Sequence, residues 1–143
     1  MAREDSTVPG DWLAIADKDL DRVARMLEDH DPEAAGFYLQ QALEKLLKAF
    51  LLSKGWELDR VHDLESLLNE AIERDPSLEK FREPCQTITA FYFVERYPLL
   101  PPVDITEADV RGGLDQTREL IEKLRRGLAH QGQEQRGDRH QPC

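Results

Sequence analysis

Gln40-Gln41-Ala42-Leu43-Glu44-Lys45-Leu46-Leu47-Lys48-Ala49-Phe50-Leu51-Leu52 is the stretch that decides the fold. Leu39, Ala42, Leu43, Leu46, Leu47 and Phe50 recur at three- and four-residue steps, so they form one stripe on a helix, and that stripe is core. The opposite face carries Gln40, Glu44 and Lys48 at successive four-residue steps, with Gln41 and Lys45 one position round. Glu44 ahead of Lys48 is the order that supports a helix. The ordinary reading of such a face is a solvated one; the other is an ordered polar stripe with a task.

Working outward, periodicity and punctuation divide the chain into five helices. The first runs from about Asp11 to Asp29, with Trp12, Leu13, Ala16, Leu20, Val23, Ala24 and Leu27 as its buried stripe. Asp31-Pro32 supplies a cap and a first-turn proline for the second helix, which continues to Lys54 and stops at Gly55. The third starts near Asp63, buries Leu64, Leu67, Leu68, Ala71 and Ile72, and ends at Asp75-Pro76. The fourth carries Leu78, Phe81, Cys85, Ile88 and the aromatic group Phe91, Tyr92 and Phe93, with Pro84 acceptable only near its start or at a kink.

Pro98, Pro101 and Pro102 make the segment from Arg96 to Ile105 an extended, stiff loop. Thr106 followed by Asp109 reads as a capping box with the shorter acid, opening a fifth helix with Ala108, Leu114, Thr117, Ile121, Leu124 and Leu128 inward. Gly112-Gly113 weakens its first turns and signals fraying or close packing. Residues 129–143 lack apolar periodicity and are expected to be a disordered polar tail, and residues 1–10 a flexible N-terminus. There is no repeat and no strand-period segment. The expected architecture is all-α, an up-and-down antiparallel bundle of about five helices over residues 11–128.

At 143 residues the chain can bury one sizeable core. No stretch approaches the ~18 apolar residues of a membrane span, and no N-terminal apolar run suggests export, so the expected location is the cytoplasm. Cys85 in an apolar helix and Cys143 at the last position give no disulfide framework. A net charge of −10 disfavours broad binding to duplex nucleic acid, which requires a basic contact surface. Lys45, Lys48, Lys54, Arg60 and His62 cluster enough in sequence to suggest a local basic cleft, although cations also suit helix ends.

Four words in order give the chain a family likeness: Asp11-Trp12-Leu13 with Asp19-Leu20; Gln40-Gln41-Ala42-Leu43-Glu44-Lys45 with Lys48-Ala49; His62-Asp63-Leu64; and Tyr92 with Arg96-Tyr97-Pro98. On these residues it resembles the HEPN domain, an all-helical module often found beside minimal nucleotidyltransferases. Ribonuclease members of that family, the toxin type, carry an arginine followed after four to six residues by a histidine near the start of the last long helix. Here the arginine would be Arg96, and the histidine positions hold Pro101, Pro102 and Val103. Arg25 with His30 and Arg125 with His130 match the spacing by chance, at helix ends the family does not use for catalysis.

Acid–base cleavage of RNA needs a group that exchanges protons near neutral pH, which makes the histidine hard to replace. His62 with Asp63 is the remaining candidate, but Asp63 suits an N-cap and His62 a local structural contact. No phosphate loop, paired metal spacing or nucleophile elbow is present, so no catalytic residue, metal or cofactor is assigned.

What the resemblance then implies is a non-catalytic module that binds a nucleotide or a partner, working with a minimal nucleotidyltransferase in a toxin–antitoxin-like or stress-related system. The alternatives are a HEPN ribonuclease toxin and a purely structural dimerisation module. Gln40, Glu44, Lys48, His62, Tyr92, Arg96 and Tyr97 are the ligand-binding candidates. Lys48 and Arg96 would meet phosphate in one cleft, Tyr92 or Tyr97 would stack a base, and Glu44 would orient the lysine or accept a base hydrogen bond; the alternative makes the same set a polar network that fixes helix packing and needs no ligand. A homodimer is expected, with Trp56, Phe91, Phe93, Leu99 and Leu100 as apolar residues beyond the needs of one core.

Overall fold

The computed structural model describes residues 6–57, 63–96 and 105–139, with side chains described for 6–57, 63–91 and 105–128. Among these residues the chain is all-α. Five α-helices follow in order: α1 (Pro9–Glu28), α2 (Pro32–Ser53), α3 (Leu64–Arg74), α4 (Arg82–Arg96) and α5 (Glu107–Arg139), with a 3-10 stretch, Pro76–Phe81, ahead of α4.

Local chemistry sets the ends. The Asp31 carboxylate accepts from the Ala34 amide at 3.2 Å and Asp63 accepts from the Glu65 amide at 3.1 Å, each satisfying one orphan donor of a first turn. The capping box at α5 is reciprocal: the Asp109 amide donates to the Thr106 hydroxyl at 3.1 Å and the Thr106 amide to the Asp109 carboxylate at 3.0 Å. Helix α2 ends at Gly55, whose φ of 84° is open to glycine, while the Trp56 amide bonds back to the Leu51 carbonyl at 3.0 Å. Helix α1 ends the same way on His30, a non-glycine residue at φ 58°.

Between α3 and α4 the sequence expectation of one helix from Pro76 is corrected. Residues 76–81 wind as 3-10, and α4 begins only at Arg82, which puts Pro84 in its first turn, where a missing N–H breaks no internal bond. At the other end of the chain, α5 continues as helix to Arg139, beyond Leu128 where a disordered tail was expected. Adding a residue to a formed helix fixes one residue per new hydrogen bond, and Gln, Glu and Arg are good helix formers.

The core centres on α2, which packs against all four other helices. Leu39, Leu43, Leu46, Leu47 and Leu51 are fully enclosed, each contributing roughly 2 kcal/mol from burial. Helices α1 and α2 run antiparallel, since Asp19 bonds to Lys45 while Trp12 lies beside Lys48. Helices α4 and α5 also run antiparallel, with Lys80 beside Glu119 and Phe91 beside Gly113. Gly36 lets α2 and α4 touch: a Cβ there would stand 2.8 Å from the Cβ of Phe91. The expected close packing is found at Gly113, against Ile88 and Phe91, whereas Gly112 faces open space.

Three expectations about the core change. Ala24 and Ala108 are exposed, because a single alanine at the margin of a stripe has too little surface to fix the helix rotation. Phe91 is buried, so it is not left over for a dimer contact, while Trp56 packs on the core and stays partly exposed. Phe93 has no described side chain, and Leu99 and Leu100 lie outside the described residues. Among described residues, Val8 is the exposed large hydrophobic.

Candidate functional site

The polar stripe of α2 is inside the bundle. Gln40, Glu44 and Lys48 retain 2%, 5% and 2% of their exposure, which overturns the solvated-face reading. They form a ladder: Lys48 Nζ donates to Glu44 Oε1 at 3.1 Å, Gln40 Nε2 donates to Glu44 Oε2 at 3.3 Å, and Gln41 Nε2 donates to Gln40 Oε1 at 2.7 Å. The Lys48 ammonium also stands 4.9 Å from the centroid of the Trp12 ring, a cation–π contact from α1. Trp12 is held in turn, its indole N–H donating to the Ser6 carbonyl at 2.9 Å while the Ser6 hydroxyl donates to Asp11 at 2.7 Å.

A second ionic group lies on the same seam, and sequence reasoning gave it no role. Asp19 is 1% exposed and accepts from Lys45 Nζ at 2.6 Å and Arg22 Nη1 at 2.7 Å. The guanidinium of Arg22 stands 5.5 Å from the ring centroid of Tyr38 on α2. The signal was available: Asp19 falls three residues after Ala16 and four before Val23, on the buried stripe of α1, and a carboxylate there needs a cation from the facing helix. Among described residues no buried side-chain nitrogen or oxygen lacks a partner.

The expected convergence of Lys48 with Arg96 is corrected by the helix directions. Gly36 and Gly113 both meet Phe91, and Phe50 meets Gly127, so α2 and α5 run parallel and α4 runs against both. The α4 backbone past Phe91 therefore heads for the Pro32 end of α2, while Lys48 lies toward the other end. At a rise of ~1.5 Å per residue their backbones are separated by on the order of 20 Å along the bundle, beyond the combined reach of the two side chains. The side chains of Tyr92 and Arg96 are not described, and His62 and Tyr97 lie outside the described residues.

The chance arginine–histidine matches go elsewhere. His30 Nδ1 is 2.6 Å from Glu107 Oε1, a link between the starts of α2 and α5, and Arg125 pairs with Asp17 of α1. Cys85 is buried, and that burial pushes its thiol up to about 12, so it stays protonated and inert at neutral pH. Among described residues there is no group of His, Cys, Asp and Glu that could hold a metal ion.

The model of the HEPN domain matches residues 10–127, most of the chain. The chain belongs to the HEPN family. Its bundle is also similar to a crystal structure, that of TT1696 from Thermus thermophilus, with a TM-score of 0.75 at 26% identity, covering 84% of this chain and 98% of that one. No curated protein matches the sequence. Within this HEPN chain, the second helix carries both the family word Gln40 to Lys45 and the buried ladder, so the residues that gave the resemblance are largely the ones that close the α1–α2 seam.

Proposed function

We propose that this HEPN chain is a cytoplasmic binding module that does not cleave RNA and that works with a minimal nucleotidyltransferase. The observation that carries the reading is the fate of the polar stripe. Gln40, Glu44 and Lys48 are enclosed and joined to one another, so they are committed to holding the bundle and are poor candidates for exchanging protons with a substrate. The sequence adds its part, since Pro101, Pro102 and Val103 occupy the places of the histidine that ribonuclease members use.

In this reading the ladder and the Asp19 group fix the framework. The partner or its nucleotide is met by the two later words of the family likeness, with His62, Tyr92, Arg96 and Tyr97 as contact residues. No described helix is long and apolar enough to cross a membrane. The test is co-expression with a minimal nucleotidyltransferase of the same genome, followed by native mass spectrometry. A complex, or a nucleotidyl group attached to this chain, supports the reading, and Arg96→Ala with Tyr97→Ala should weaken it. Incubation with structured and single-stranded RNA should yield no cleavage. Cleavage that disappears in His62→Ala would replace this reading with a ribonuclease one.

A further inference from the structure

Where α2 and α3 end, Lys54, Arg74, Lys123 and Arg126 surround an open pocket of about 390 Å³, with Asp75 as its carboxylate and Phe50 and Gly127 at its floor. Four cations against one carboxylate is a sharp local reversal in a chain of net charge −10. Arg74 is partly spoken for, its Nη1 donating to the Glu70 carbonyl at 2.8 Å and to the Glu70 carboxylate at 3.2 Å. Lys54, Lys123 and Arg126 form no ion pair among the described residues, and neither do Lys18 and Arg25 on α1, whereas Arg22, Lys45, Lys48, Lys80, Arg82 and Arg125 all do.

Cations at a helix C-terminus offset its dipole, and that accounts for Lys54 and Arg74. It does not account for Lys123 and Arg126, which come from the interior of α5, a helix that continues to Arg139. Three elements thus bring charge to one point. The direct contacts of these groups are weak or neutral: Lys123 Nζ donates to the Ser77 hydroxyl at 3.0 Å, Arg126 Nε to the Glu122 carbonyl at 3.4 Å, and Lys54 stands 5.5 Å from the Phe50 ring centroid; the Glu119 carboxylate, bonded to Lys80, feels Lys123 and Arg126 only at longer range. Asp75 is turned to local work, its Oδ1 accepting from the Ser77 amide and hydroxyl at 3.1 and 2.7 Å. Gly127 shapes the floor, since a Cβ there would stand 3.0 Å from Phe50 Cε1.

We propose that this pocket binds the phosphate of a small phosphorylated ligand, with Lys54, Lys123 and Arg126 meeting the phosphate oxygens and the Phe50 edge facing the organic part. Charge-assisted bonds to phosphate are the strong class, and the volume falls in the range of small-molecule sites, above what inorganic phosphate alone would fill. The proposal goes beyond the binding-module reading, whose contact residues His62, Tyr92, Arg96 and Tyr97 are a different set, by adding a separate ligand site of stated chemistry. Its test reads occupancy of this pocket without any partner protein, so either idea can fail alone.

The experiment is a titration of the ¹⁵N-labelled full chain with AMP, pyrophosphate and inorganic phosphate at low salt, followed by amide chemical shifts. Expected are saturable shifts at Phe50, Lys54 and Gly127, with AMP and pyrophosphate binding more tightly than inorganic phosphate. Lys54→Gln with Arg126→Gln should weaken binding tenfold or more, Lys123→Gln alone should weaken it severalfold, and Arg118→Gln, remote from the pocket, should leave it unchanged. An unaltered spectrum of the unliganded variants shows that the fold is kept. Absence of saturable shifts with all three probes, shifts centred elsewhere, or equal affinity in the folded double variant would each overturn the proposal. Binding of single-stranded RNA without any response to AMP would overturn it in favour of a nucleic-acid contact.

Discussion

The seam between α1 and α2 and the pocket at the ends of α2 and α3 use the same residue types in opposite ways. In the seam Lys48 and Glu44 are enclosed and joined, and Asp19 is held by Lys45 and Arg22. In the pocket Lys54, Lys123 and Arg126 gather around one carboxylate and stay without an ion pair among the described residues. Burial makes the difference: a charge removed from water must be matched, whereas a charge at the surface is solvated and free to meet a ligand. The seam is thus a device for fixing helix packing, and the pocket is where excess charge is left available.

The largest expected effect breaks the seam. Glu44→Ala removes the enclosed carboxylate to which Lys48 donates and should cost about 3–5 kcal/mol, seen as a fall of roughly 10 °C or more in Tm. Replacing the pair with Glu44→Leu and Lys48→Met should melt closer to the parent than Glu44→Ala does, because a well-packed apolar pair needs no counter-charge. Equal losses in the two would mean that the ladder is held by more than charge.

Next comes the contact that sets the α2–α4 distance. Gly36→Ala should destabilise by about 1–3 kcal/mol, since its Cβ would meet the Phe91 Cβ, which cannot swing away. Gly113→Ala is the control on α5: its nearest neighbours, at 3.4 Å, are side-chain atoms, and the helix preference of alanine offsets the tightness. Chemical denaturation of both variants would rank them.

Sharpening the contrast, Lys54→Gln with Arg126→Gln should change stability by no more than ~0.5 kcal/mol, because neither cation forms an ion pair among described residues. A melting loss as large as that of Glu44→Ala would erase the distinction between the two regions.

The smallest effect is at the surface. Hydrogen bonds from Arg82 and Lys80 hold Glu79 and Glu119 below the usual carboxylate range. A carboxylate lowered in the folded state adds stability that is present above its unfolded value and is lost as pH falls through the folded one. The urea midpoint of Glu119→Gln should therefore lie slightly below that of the parent near neutral pH and rejoin it in acid, once the folded carboxylate is protonated, and Glu79 should behave alike. Both are exposed, so solvent screening keeps the difference small.

By itself the sequence determined the five helices and most of their ends, the start of α4 and the far end of α5 excepted. Leu39 to Phe50 at helical spacing, Asp31-Pro32, Gly55, Asp63 and the Thr106–Asp109 box are local signals, read within a few residues, and each is realised where it was expected. Only the tertiary structure decided which polar residues go inside. A stripe such as Gln40, Glu44 and Lys48 looks the same in sequence whether it faces water or another helix, and the answer came from α2 being surrounded on all sides. Helix direction likewise set Lys48 apart from the end of α4, and the joining of α2, α3 and α5 at one end built the basic pocket. The physical reason is range: caps and periodicity act over one or two turns, whereas burial and charge pairing depend on residues far away in the chain.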